Sequence, residues 1–151
     1  MKLSLLHATR GRPQRALEVR REWLEKAIHP DDVEHIYGVD ADDGPSIEAV
    51  APFQRVIVLP PKGCFRAYNH AAAVSTGDLL IPIEDNLYPE QGWDERVREF
   101  MRDSIQEVAM LAVCDGTSPH VEWCFTREFY KQRGLYHDDY WGLFGDTEIR
   151  F

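Results

Sequence analysis

Residues 65–97 read FRAYNHAAAVSTGDLLIPIEDNLYPEQGWDERV. The Ala-rich stretch 65–75 has helical composition and is closed by Gly77. LLIPI, residues 79–83, is a short apolar run that reads as a buried strand. Glu84, Asp85 and Asn86 stand at its carboxyl end. Trp93, Val97, Phe100 and Met101 then recur at helical spacing and predict another helix. Helix, strand, polar strand end, helix is the repeating unit of an α/β protein.

The same alternation extends both ways. Residues 2–7, KLSLLH, read as a first strand, and Pro13 suits the first turn of a helix running to Ile28. His29, Pro30 and two aspartates end that helix. Residues 33–39 read as a second strand, stopped by Asp40-Ala41-Asp42-Asp43-Gly44-Pro45. Residues 55–59, RVIVL, are β-branched and bounded by two prolines, the mark of a third strand. Beyond the central stretch, residues 108–114 and 121–125 read as further strands. Thr126 is placed to cap a short helix that stops at Gly134. The expectation is one domain over residues 1–151, an α/β fold with a mostly parallel central sheet and helices on both faces. In such sheets ligands bind outside the carboxyl ends of the strands.

Composition narrows the functions. A hydrophobic share of 44% suits a packed core, and a net charge of -9 repels phosphate backbones, so no nucleic-acid partner is expected. No apolar run approaches the roughly 20 residues a bilayer crossing needs, and the first apolar stretch is too short for a signal peptide. Cys64, Cys114 and Cys124 lack metal-ligand spacing and read as reduced thiols. Together these lead to the expectation of a cytoplasmic chain; the oligomeric state is open between a monomer and a homo-oligomer. The histidines form no H-x-x-x-H or H-E-x-x-H pair, and no P-loop, G-x-G-x-x-G or G-x-S-x-G pattern occurs.

Three polar clusters fall after strands, and a fourth lies near the end of the sequence. Thr9, Arg10, Gly11 and Arg12 follow strand one and open a helix, where a helix N-terminus and guanidinium groups favour a diphosphate. The alternative is a solvated turn whose Arg side chains pair with some of the 26 carboxylates. Asp40, Asp42 and Asp43 follow strand two, where a carboxylate can accept from a ribose hydroxyl or a nucleobase N–H; the calcium-loop pattern fails at Gly44. Glu84, Asp85 and Asn86 offer hard oxygen ligands for Mg²⁺ or Mn²⁺, with phosphate oxygens completing the shell. Asp146 and Glu148 close the chain.

In this order the pieces resemble the GT-A fold glycosyltransferases, family-2-like members in particular, a Rossmann-like nucleotide-sugar-binding fold. The resemblance runs through LLHATRGRPQRALEVRREWLEKA, IYGVDADD, the 65–97 stretch and WCFTREFYKQRGLYHDDYWGLFGDTEIRF. It implies a metal-dependent, inverting transfer of a sugar from a nucleotide-sugar donor to an acceptor hydroxyl. Carried over, it puts Thr9, Arg10, Arg12, Asp40 and Asn69 at the donor. Asp85 becomes the principal metal ligand with Glu84 in support, and Asp146 the general base. The family's acidic-x-acidic motif reads Glu84-Asp85-Asn86 here, so its second carboxylate is either replaced by the Asn86 amide or shifted by one position. Competing expectations are a non-catalytic nucleotide-sugar-binding relative and an unrelated nucleotidyltransferase-type α/β enzyme.

Overall fold

A computed structural model describes residues 1–53, 55–61, 63–113 and 122–137. Its six-stranded sheet contains β1 (Leu3–Thr9), β2 (Val33–Asp40), β3 (Val56–Leu59), β4 (Leu79–Ile83), β5 (Met110–Val113) and β6 (Glu122–Thr126). The spatial order is β3-β2-β1-β4-β6-β5. The first four are parallel to one another, and β6 runs antiparallel to both β4 and β5. The helices are α1 (Pro13–Glu25), α2 (Gly44–Val50), α3 (Cys64–Val74), α4 (Trp93–Met101) and α5 (Arg127–Arg133).

Strand periodicity explains the layers. On β1, Leu3 and Leu5 face a core shared with Val19 of α1 and with Trp93 and Met101 of α4. Leu6 points the other way, into a core with Phe65, Tyr68 and Ala72 of α3 and Phe129 of α5. Both faces of the sheet are therefore covered, which is why β4 is apolar at every position and buried throughout. Pro82 is tolerated there because β6 pairs with β4 only at Leu79 and Leu80.

The architecture expected from sequence is present, with β4 at the expected bounds. The Thr126 cap is present as well: its hydroxyl accepts from the Phe129 N–H at 3.1 Å, and α5 stops before Gly134 at φ 75°. Three readings need correction. The first helix, expected to run to Ile28, ends at Glu25, and Ile28 is 48% exposed. The run after β2 continues into a helix, α2, where the sequence suggested only an acidic turn. Asp43 caps it by accepting from the Ser46 N–H, with Pro45 in the first turn. Phe100 is not part of the buried stripe of α4; it is 73% exposed. Buried Asp94 rotates the covered arc toward Val97 and Met101 and leaves Phe100 at its rim.

The loop after β4 is held in place before α4 begins. The Trp23 indole donates to the Leu87 carbonyl at 2.8 Å, and the Trp93 indole to the Trp23 carbonyl at 2.9 Å. Gly92, at φ 73°, caps α4 in a left-handed conformation that suits glycine, and donates to the Lys26 carbonyl. These contacts fix where residues 84–92 leave the sheet. None of the helices is long and apolar enough to cross a membrane, among the described residues.

Candidate functional site

The carboxyl ends of β1, β2 and β4 bring the first three polar clusters together. Thr9, the last residue of β1, donates its hydroxyl to Asp85 Oδ2 at 3.0 Å. Arg10 reaches across to β2, with Nη1 2.5 Å from Asp40 Oδ2 and 2.6 Å from Asp42 Oδ1, and Nη2 2.9 Å from Asp42 Oδ2. The hydrogen bonds from Arg10 hold the Asp42 carboxyl below its ordinary range. The Gly11 N–H donates to Asp43 Oδ2 at 2.6 Å, so the residue that caps α2 also ties down the turn into α1. Gly11 itself sits at φ 67°.

Between these strand ends and the start of α3 lies an open pocket of about 110 Å³. Thr9, Arg10 and Asp40 line one side, Gly63, Cys64 and Ala67 the other. Its floor is set by close packing: a Cβ on Gly38 would lie 2.7 Å from the Ala67 Cβ. Only glycine at position 38 lets α3 rest that low on β2 and bring its N-terminus to the pocket rim.

Arg12 is exposed at the N-cap of α1, and Glu84 is exposed beside Asp85. Asp85 itself is buried, 5% exposed. Its two oxygens divide their partners: Oδ2 accepts from Thr9, and Oδ1 lies 3.0 Å from His7 Nε2. His7 Nδ1 is in turn 3.1 Å from His35 Nε2. Tyr37 packs against both imidazoles, with ring centroids 5.1 and 4.4 Å away, and donates its hydroxyl to the Ala16 carbonyl of α1. Burial, then the neighbouring His7 and Arg20, push the His35 pKa well below the ordinary histidine range and keep that ring neutral.

This histidine chain has no counterpart among the sequence expectations. The histidines were screened for local spacing, whereas His7 and His35 meet through strand pairing. His7 lies opposite Tyr37 and Leu5 opposite His35, so the two imidazoles are diagonal neighbours on one face of adjacent strands. The available signal was a histidine inside each of two apolar strand runs.

Asn69, on α3, binds the backbone of Tyr136. Its Nδ2 donates to the Tyr136 carbonyl at 2.9 Å and its Oδ1 accepts from the Tyr136 N–H at 3.1 Å, which fastens the segment after α5 onto α3. Asp146 and Glu148 lie outside the described residues, as does Cys114.

The carboxylate here that a divalent cation would use is Asp85, with exposed Glu84 beside it. A carboxylate offers about four acceptor positions, and Asp85 has hydrogen-bonded contacts on each oxygen that leave others open. Among the described residues no group of three His, Cys, Asp or Glu side chains is placed to hold a metal. One or two carboxylates plus substrate phosphates is a coordination that suits Mg²⁺.

No protein-family model matches the chain, and no curated protein matches it either. Solved structures do. TarS from S. aureus superposes with a TM-score of 0.76 at 11% identity, covering 97% of this chain and 32% of that one. The mannosyltransferase PcManGT from Pyrobaculum calidifontis, in complex with GDP-Man and Mn²⁺, gives a TM-score of 0.74 at 15% identity, over 91% of this chain and 48% of that one. S. aureus TarS 1-349 in complex with UDP-GlcNAc gives 0.60 at 16% identity, over 68% and 32%. The chain has a GT-A-like glycosyltransferase fold, and it spans a third to a half of the length of these structures.

Proposed function

We propose that this chain is a metal-dependent glycosyltransferase domain that moves a sugar from a nucleotide-sugar donor to an acceptor hydroxyl with inversion. The observation that carries the reading is the meeting of Thr9, Arg10, Asp40 and Asp85 at the strand ends beside an open pocket. PcManGT and TarS, which share the fold, were solved with GDP-Man and Mn²⁺ and with UDP-GlcNAc respectively.

In this reading Asp40 accepts from the nucleoside. Arg10, drawn from its pairing with Asp40 and Asp42, and Arg12 at the α1 N-terminus take the diphosphate charge. Asp85, supported by Glu84, holds Mg²⁺ or Mn²⁺, which when bound neutralises charge on the diphosphate leaving group. Asn69 shapes the sugar side by clamping Tyr136. Asp146 takes the proton of the acceptor hydroxyl as its oxygen attacks the anomeric carbon on the face opposite the diphosphate. The bond from that carbon to the diphosphate oxygen breaks, and the nucleoside diphosphate leaves.

The test is a thermal-shift screen of UDP, GDP and their sugar conjugates with Mn²⁺ or Mg²⁺, followed by donor hydrolysis or transfer. A ligand at about 100 times its Kd stabilises by about 2.7 kcal/mol. Asp146→Asn is expected to slow turnover by about 10²–10⁴-fold with donor affinity retained, the ordinary contribution of a general base. Binding without turnover in the parent would assign the chain to a non-catalytic relative. Pyrophosphate release from a nucleoside triphosphate would assign it to a nucleotidyltransferase-type enzyme.

A further inference from the structure

The buried histidines behind Asp85 have a consequence for it. His7 is fully buried and His35 is 9% exposed, both inside an apolar sheet. Polar side chains in such a place are destabilising unless their hydrogen bonds are made. The partners present constrain where the protons sit. Asp85 Oδ1 can only accept, so His7 Nε2 carries a hydrogen. His7 Nδ1 and His35 Nε2 share one hydrogen across 3.1 Å, and in the arrangement taken here the His35 Nε2–H donates it to His7 Nδ1. His35 Nδ1 then carries the ring's lone pair, and among the described residues it is a buried atom without a partner. The arrangement is a one-way chain of donors, from His35 through His7 to the carboxylate at the strand ends, with Thr9 donating to the second oxygen.

We propose that His7, itself oriented by His35, is the positioning residue for Asp85: the two imidazoles fix the carboxylate so that its remaining lone pairs stay available for the cation on the donor diphosphate. The proposal rests on the reading of Asp85 as the metal-holding carboxylate. Carboxylates that ligate metals are themselves hydrogen-bonded, and losing such a supporting partner lowers metal affinity by about 10–100-fold. Thr9 alone leaves Asp85 free to turn about its side-chain bonds. His7 removes that freedom, and His35 removes the same freedom from His7.

Isothermal titration of UDP and of GDP, each with Mn²⁺ and with EDTA, reads the effect. His7→Phe keeps the volume and deletes the donor, and lowers the Mn²⁺-dependent affinity about 10–100-fold with the EDTA value unchanged. His7→Gln carries an amide N–H at nearly the same reach and restores most of the loss. His35→Phe, which does not touch Asp85, gives a smaller loss of the same kind. A merely structural role would instead lower thermal stability in His7→Phe and leave the ratio of Mn²⁺ to EDTA affinity as in the parent; that result overturns the proposal.

Should His7→Phe fail to fold, ¹⁵N-histidine NMR of the parent and of Asp85→Ala decides. The parent shows the Nε2–H form at both rings, and Asp85→Ala shifts the ring nitrogens of His35 through His7. Another tautomer in the parent, or an unmoved His35 in Asp85→Ala, overturns the chain of donors. A parent that shows this coupling yet binds neither nucleotide with Mn²⁺ overturns the donor-site reading, and with it the role of His7.

Discussion

Asp85 and Asp94 are both buried carboxylates on the segment after β4, and they are satisfied by different groups. Asp94 accepts from the backbone N–H groups of Ile28 and His29 at 2.7 and 3.0 Å and pairs with Arg98 one turn along α4. Burial would raise its pKa, but the two backbone hydrogen bonds and Arg98 outweigh that and hold it below the ordinary range. Asp85 takes its hydrogen bonds from side chains, Thr9 and His7. Backbone donors belong to the fold and cannot turn away without unfolding it. Side-chain donors can be tuned, exchanged or shared with a ligand. Burial alone therefore does not mark a functional carboxylate; the kind of partner does.

The comparison is broken most directly at Asp94. Asp94→Ala strands Arg98, whose side chain is only 14% exposed, together with two backbone N–H groups. Breaking a buried ion pair from one side costs about 3–5 kcal/mol, so denaturant unfolding should show a loss of that size. Nucleotide affinity of the folded fraction should not change. A parallel loss of affinity would mean that Asp94 belongs to the site.

Asp85→Asn should show the reverse pattern. The amide keeps the shape and an acceptor but lacks the charge. Mn²⁺-dependent nucleotide affinity should drop by about 10–100-fold, the size seen when metal support is lost, with a stability loss well below that of Asp94→Ala. Equal stability losses in the two variants would erase the distinction between them.

Acid should separate the two regions by pH. The folded-state pKa of His35 lies well below its ordinary value of 6.5, so the unfolded chain binds a proton that the folded chain refuses. Stability supported by neutral His35 is complete above pH 6.5 and declines as pH falls below it, by at most about 1.4 kcal/mol per pH unit for one proton. Asp94 is also lowered, from an ordinary 3.8, so its contribution is complete above that value and is lost only at more acidic pH. Glu34 joins it at that end. Burial would raise its pKa, but hydrogen bonds from Ser4, Thr76 and Lys2 bring it from 4.5 down to about 2. Unfolding free energies measured from pH 8 to pH 3 should begin to fall below pH 6.5 in the parent, and the early fall should vanish in His35→Phe. An unchanged early slope in that variant would place the titrating group elsewhere.

Much of this was legible in the chain itself. Strand alternation, the Pro and Gly boundaries and the all-apolar LLIPI run carry local signals, because strand and helix periods are set within a few residues. Thr9, Arg10, Asp40 and Asp85 could be placed at strand ends for the same reason. The second helix was missed because Asp43-Gly44-Pro45 is turn chemistry and helix-start chemistry at once, and the apolar stripe behind it is short. Phe100 was misread because its helical phase lies at the rim of the arc, and the position of that rim depends on Asp94 being buried.

The sequence by itself determined the α/β alternation, the covered parallel strands and the family of residues at their carboxyl ends. Only the tertiary structure decided which of those residues touch. Arg10 is shared between Asp40 and Asp42, Asn69 clamps Tyr136, and His7 stands between Asp85 and His35. The reason is register. A histidine in β1 and a histidine in β2 are distant in sequence, and nothing within either strand says which rung of the ladder it will occupy. Pairing Leu5 with His35 and His7 with Tyr37 sets that rung, and the same pairing brings the imidazoles under Asp85.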